Sequence, residues 1–258
     1  DPLLSCSMRD GGLSEIDLCC FESPGGVIMQ TQLWNPYKGP KDSFTIHGLW
    51  PDKCDGSWEQ FCDRSTQIPF SRTFDLRSVI RDQFNETLLL DYMNEYWKDF
   101  SRDDSNLWKH EFNKHGTCVS TIQPPCYQKK DNSSKGSSRG VFEENEIIEK
   151  EYLRYQNAID YFKVTINLFR KLPTYEWLKE DGIIPSGVKT YTRDEISQSL
   201  NKHFGSNVYF SCRGRKLNEI WYYFNSYGSI LQQNFTSIDT LTNYDNRCPA
   251  TGIIYPVK

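Results

Sequence analysis

Nine cysteines scattered along 258 residues constrain this chain more than any other feature. Reducing compartments rarely hold so many thiols, and the spacing offers no paired C-x-x-C knuckles for a structural metal. A disulfide-stabilised fold made for an oxidising compartment is therefore expected. Three N-x-[ST] sequons, at Asn85, Asn132 and Asn234, agree with passage through a secretory pathway and are the candidate N-glycan acceptors. No apolar run approaches the roughly 20 residues that cross a bilayer, so no membrane partner is expected. Asp1 opens no signal-peptide pattern, and the chain reads as processed or trimmed.

Length allows one large domain or two small ones, and the lack of a dividing linker favours one, residues 1–258. Hydrophobic residues make up only 37% of the chain but aromatics reach 14%, so large rings are expected to anchor the core. The formal charge of -4 excludes a global positive field. Any polyanion handled here must meet a locally basic or hydrogen-bonding cleft.

Residues 1–26 lack periodicity and read as a loop ordered by Cys6, Cys19 and Cys20. Residues 27–34 and 44–49 read as strands around a Pro-Tyr-Lys-Gly-Pro turn. Apolar residues recur at helical spacing over 75–97 and again over about 146–172, ending before Pro173. Between them, the polar run 129–140 reads as an exposed, mobile loop. Thr192 with Glu195 forms a capping-box signature for a helix to Phe204, and Gly205 stops it. Residues 207–212, 219–225 and 252–255 are candidate strands. Blocks of helices and strands, without strict alternation, predict an α+β fold with a central, mainly antiparallel sheet flanked by helices.

The chain has four histidines, and three lie in two short segments: Phe44-Thr-Ile-His47-Gly-Leu-Trp50-Pro-Asp52 and Trp108-Lys-His110-Glu111-Phe-Asn-Lys114-His115-Gly-Thr-Cys118. The second is not a zinc H-E-x-x-H, since its histidines are five positions apart and not four. On a helix that spacing sets them about 140° apart, whereas His110/Lys114 and Glu111/His115 each lie about 40° apart. Two polar pairs are expected in place of a metal clamp, and no metal or cofactor is called for. A carboxylate beside an imidazole can orient it and raise its pKa, and an ammonium can meet a phosphate oxygen. Cleavage of RNA by its own 2′-hydroxyl needs one group to take that proton, another to protonate the 5′-oxygen, and cations for the transition state.

Those two segments, in this order and with these flanking Trp, Lys and Cys residues, resemble the active-site signatures of the T2 family of ribonucleases. Cys19-Cys20, Gln32-Leu33-Trp34, Cys54, Cys212 and Cys248 resemble its fungal branch. The resemblance covers nearly the whole chain, weakly over residues 129–151. It implies an α+β fold, a secreted or vacuolar/lysosomal location, and low-specificity cleavage of single-stranded RNA through a 2′,3′-cyclic phosphate. By the same resemblance His115 is the general base, His47 is the general acid, and Glu111 either orients or charge-balances His115 or helps hold the phosphate geometry. His110 binds the scissile phosphate, and Lys114 stabilises the transition state. Trp50, Asp52 and Trp58 match a base-binding set, with Trp58 standing where a tyrosine is usual. Leu33 and Leu107 mark a second base site where Gln and Phe are typical. The implied disulfides are Cys6 with Cys54, Cys19 with Cys126, Cys62 with Cys118, and Cys212 with Cys248. Cys20 is left alone, its usual partner falling upstream of Asp1. His203 reads as a surface or structural residue. Two rival readings are a T2-like binding protein without catalysis and a metal-dependent hydrolase.

Overall fold

The computed structural model describes residues 2–8, 16–100, 103–127, 152–242 and 248–258. Its organising element is the long strand β5 (Lys216–Ser226), which pairs with β1 (Val27–Leu33), β4 (Tyr209–Arg213), β6 (Phe235–Ile238) and β7 (Ile253–Ile254). Beyond β1 lies β2 (Thr45–Asp52), and beyond β7 the two-residue β3 (Thr190–Tyr191). All these pairings are antiparallel except β5 with β7, which meet in parallel at Lys216 and Ile254. The sheet is thus mixed, a small departure from the expected pattern.

Side chains alternate across a strand, so each strand divides its residues between two faces. From β5, Ile220, Tyr222 and Phe224 enter the main core, where Ile28, Ile46 and Leu49 join them. Tyr223 instead packs with Val27, Met29, Tyr209, Trp50 and Trp221 in a smaller aromatic cluster on the opposite face. Helix α4 (Gln156–Arg170) covers the main core with a broad apolar face. Its wholly buried Tyr161 fixes it to the sheet: the hydroxyl donates to Leu49 O at 2.8 Å and accepts from Leu49 N at 3.2 Å.

Over 75–97 the expected helical segment is a short α1 (Leu76–Ser78), a π-helical turn (Val79–Gln83) and α2 (Thr87–Tyr96). Helix α3 (Asp104–Lys114) follows, capped where the Asp103 carboxylate accepts from Ser105 N at 2.8 Å, with Asp104 in its first turn and Lys114 in its last. The helix expected over about 146–172 begins at Gln156; residues 146–151 lie outside the described residues, as do the run 129–140 and Asn132. Helix α6 (Arg193–Phe204) has both bonds of the capping box between Thr192 and Glu195 and stops at Gly205. Among the elements without a legible signal, α5 (Thr174–Glu180) is too short for a period to emerge, β3 has only two residues, and β6 is a half-buried edge strand of four residues.

The four disulfides are those the resemblance implied, and Cys20 is exposed and unbonded. Bonding alone does not order the first residues, because Glu22 is buried and accepts from Ser120 N (2.8 Å), Ser120 Oγ (3.1 Å), Thr121 N (3.3 Å) and Thr121 Oγ1 (2.8 Å). Burial nevertheless pushes its carboxyl up to about 7 against those four bonds. Among the described residues no helix is long and apolar enough to cross a membrane.

Candidate active site

Strand β2 and helix α3 carry the two histidine segments, and they meet because Gly48 lets them. A Cβ at that position would lie 2.1 Å from Glu111 Oε2 and 2.9 Å from Trp50 Nε1. In the space left by the missing side chain, the Trp50 indole donates to Glu111 Oε2 at 2.8 Å. The other carboxylate oxygen stands 3.6 Å from His47 Nε2. A second close approach ends the helix, since a Cβ on Gly116 would sit 2.5 Å from the Phe112 ring. His115, the residue between, is the C-cap of α3, and its N–H donates to Glu111 O at 2.9 Å.

Trp50 touches both outer imidazoles. It stacks on His115 with centroids 4.9 Å apart and planes at 18°, and meets His47 edge to face at 5.1 Å. The two histidines nevertheless differ sharply in charge preference. For His47, burial opposes the proton, but Glu111 and Glu219 outweigh it and raise the pKa above the usual imidazole value. Glu219 is the closer partner, with Nδ1 to Oε1 at 2.6 Å. For His115, burial lowers the pKa to about 2, reinforced by Lys114, His47 and His110. A helix C-terminus favours a cation by only about 1 kcal/mol, so burial prevails and His115 is neutral. Its Nε2 is buried with no hydrogen-bond partner among the described residues.

These contacts bear on the two polar pairs that helical spacing suggested. Helical spacing sets Glu111 beside His115, but the Glu111 side chain turns to Trp50 and His47, and His115 lies at the cap where the helix ends. The His110/Lys114 pair also divides. Lys114 lines a cavity of about 600 Å³ with His115, Trp50, Asp52 and Trp58. His110 lines a second cavity, of about 870 Å³, with His47, Leu33 and Leu107. The His47–Glu219 pair stands between them, Glu219 facing the first and His47 the second.

Of the candidate site residues, all but Glu111 line one of the two cavities, and Glu111 lies behind them against Trp50 and His47. In the first, Trp58 is 57% exposed and its backbone bridges to Asp52, whose carboxyl burial pushes up to about 7. Tyr209, Trp221 and Tyr223 complete the aromatic wall. Glu219 and these aromatics were not recognised from the sequence. The available signal was alternation in β5, which sets Glu219, Trp221 and Tyr223 on one face of a strand whose other face is apolar. Trp97 was read only as a helix residue, yet its indole donates to His47 O at 2.8 Å and seats the strand. His203 lies apart from both cavities, bonded to Asp181 at 3.1 Å and stacked on Trp177. Among the described residues no three His, Cys, Asp or Glu side chains are disposed to hold a metal ion.

An α+β sheet with two histidines of opposed charge preference beside an aromatic cleft defines a class that comparison with known proteins identifies. A family model described as the Ribonuclease T2 family matches residues 6–237. The chain is 42% identical to Ribonuclease T2-like 1-A of Candida albicans, over 100% of this chain and 58% of that protein. It is also 42% identical to Ribonuclease T2 of Aspergillus oryzae, over 94% of this chain and 78% of that one. The crystal structure of Actibind, described as a T2 ribonuclease, superposes with a TM-score of 0.79 at 37% identity, covering 100% of this chain and 96% of that one. Human RNase T2 shares the fold at a TM-score of 0.54 and 22% identity, covering 90% of this chain and 98% of that one. The chain belongs to the ribonuclease T2 family. It spans little more than half the length of several fungal relatives, 58% of the Candida albicans protein and 56% of one from Aspergillus fumigatus.

Proposed function

We propose that this chain is an endoribonuclease that cleaves single-stranded RNA by transphosphorylation, with His115 as general base and His47 as general acid. One observation carries the assignment: two imidazoles touching the same indole have pKa values driven apart, one raised by carboxylates and one lowered by burial. Environments that separate two titratable groups in this way define an acid and a base. Neutral His115 takes the proton of a 2′-hydroxyl, whose oxygen attacks the adjacent phosphorus. The P–O5′ bond breaks, His47 protonates the departing 5′-oxygen, and a 2′,3′-cyclic phosphate remains. Lys114 and His110, one on each side, offset the charge that gathers on the phosphoryl oxygens. In a second step the roles exchange and water opens the ring to a 3′-phosphate.

The 5′-side base takes the cavity of Trp50, Asp52 and Trp58, and the 3′-side base takes the cavity of Leu33 and Leu107. Stacking accepts every base, which fits low specificity. Asp52, with its carboxyl near 7, changes from donor to acceptor across weakly acidic pH. A secreted or vacuolar/lysosomal location and N-glycans at Asn85, Asn132 and Asn234 belong to the same reading. It is supported by the four disulfides and by the exposure of Asn85 and Asn234.

The test is digestion of a defined RNA, and of the same sequence as DNA, at pH 5 in excess EDTA by wild-type protein and His115→Ala, with product ends read by mass. Cyclic phosphates from wild type on RNA alone, reduced about 10²- to 10⁴-fold in the variant, are expected. Equal cutting of DNA, or activity lost to the chelator, defeats the proposal; binding of RNA without cleavage would favour the binding-protein reading.

A further inference from the structure

The second cavity is the larger of the two, and His47, His110, Leu33 and Leu107 form only part of its lining. Another part comes from a strap, residues 68–74, that helix α3 holds at both ends. At one end Asn113, itself buried, satisfies the whole backbone of Ile68: its Oδ1 accepts from Ile68 N at 2.7 Å and its Nδ2 donates to Ile68 O at 2.8 Å. At the other end the buried Lys109 donates to Phe74 O at 3.1 Å and lies 5.4 Å above the Phe74 ring. Ser71 tightens the middle, accepting from Thr73 N at 3.2 Å. Two buried polar side chains from the helix that carries His110 therefore fix this strap relative to the site.

What the strap presents is unusual for a surface turn. Phe70 is 56% exposed and lines the cavity, as does the exposed Arg72. The other cations there are committed: Lys98 is paired with Asp104, and Lys109 is held by Phe74. Arg72 has no ion-pair partner among the described residues, and with His110 it faces a cavity whose lining includes one acid, Asp99. Across from the strap Phe100 is 60% exposed, with the Arg213 guanidinium 5.9 Å from its ring. An exposed ring and a guanidinium two residues apart, lining the same cavity as His110, have the composition of a single-stranded nucleic-acid subsite: a face for a base and a charge for a phosphodiester.

We propose that Phe70 and Arg72 form a further RNA subsite, which takes the second nucleotide downstream of the cleaved bond and the phosphodiester leading to it. The proposal rests on the ribonuclease reading for its substrate. The substrate is then a run of at least three nucleotides, the last of which adds binding without touching the reacting atoms.

The experiment compares a dinucleotide NpN with a trinucleotide NpNpN cut at its first bond, on wild type and on Phe70→Ala/Arg72→Ala. Binding of the uncleavable 2′-deoxy di- and trinucleotides is measured in parallel by titration. Wild type should favour the longer ligand about ten-fold in kcat/KM and in affinity, the scale of one stacked base. The double variant should lose that preference and keep its dinucleotide activity. No length preference in wild type, or one that survives in the variant, overturns the subsite, as does an equal loss on both lengths. Length-dependent deoxy-ligand binding without any RNA cleavage would overturn the ribonuclease reading and leave the subsite standing.

Discussion

At the scale of single residues, the site depends on which carboxylate faces which imidazole. The motifs made His47, His110, Glu111, Lys114 and His115 legible, because three of the chain's four histidines fall in them. Spacing could not reveal Glu219, which reaches His47 across 172 positions of sequence. Replacing it by Gln removes a charge and keeps the shape, so the His47 pKa falls back toward the ordinary imidazole value. The alkaline limb of the pH–rate profile should then move to lower pH, while the rate near pH 5 changes much less; a profile lowered evenly at every pH would contradict this role for Glu219. Gly48→Ala places a methyl where Glu111 Oε2 now sits. Misplacement of a reacting group by about 1 Å can cost on the order of 10²-fold in rate, and that loss is expected with the circular-dichroism spectrum unchanged.

Among elements, those with a strong local signal were predictable and those fixed by distant partners were not. The capping box of α6 was plain from Thr192 and Glu195, whereas β6 exists because β5 offers it an edge. The segment before β1 was read as a loop ordered by cysteines, and no local pattern indicates that Glu22 anchors it against residues 120–121. That anchor has a pH sign. Its carboxyl titrates near 7 when folded and near 4.5 when unfolded, so between those values the folded chain binds more protons. Stability therefore rises as pH falls from 7 toward 4.5, by roughly 3 kcal/mol at most. Denaturant unfolding at pH 8 and pH 5 should show wild type gaining stability at the lower pH relative to Glu22→Gln. The comparison removes the opposing contribution of His115, which is common to both proteins. An equal pH response in the two would rule out Glu22 as its source.

Over the whole molecule, the blocks of helical and extended pattern anticipated the α+β architecture, and the aromatic composition anticipated a core anchored by large rings. The strand order was not legible, since pairing partners are chosen by surfaces that no local window contains. That order has a consequence for when the site comes into being. β1 pairs along its length with β5, Val27 opposite Asn225 and Leu33 opposite Glu219. A polypeptide emerging from its ribosome thus carries His47, His110, Lys114 and His115 for more than a hundred residues of synthesis before the strand that aligns the first of them is made. Throughout that interval the His47–Glu219 pair cannot form, so the seam between the two cavities closes only after β5 has been made.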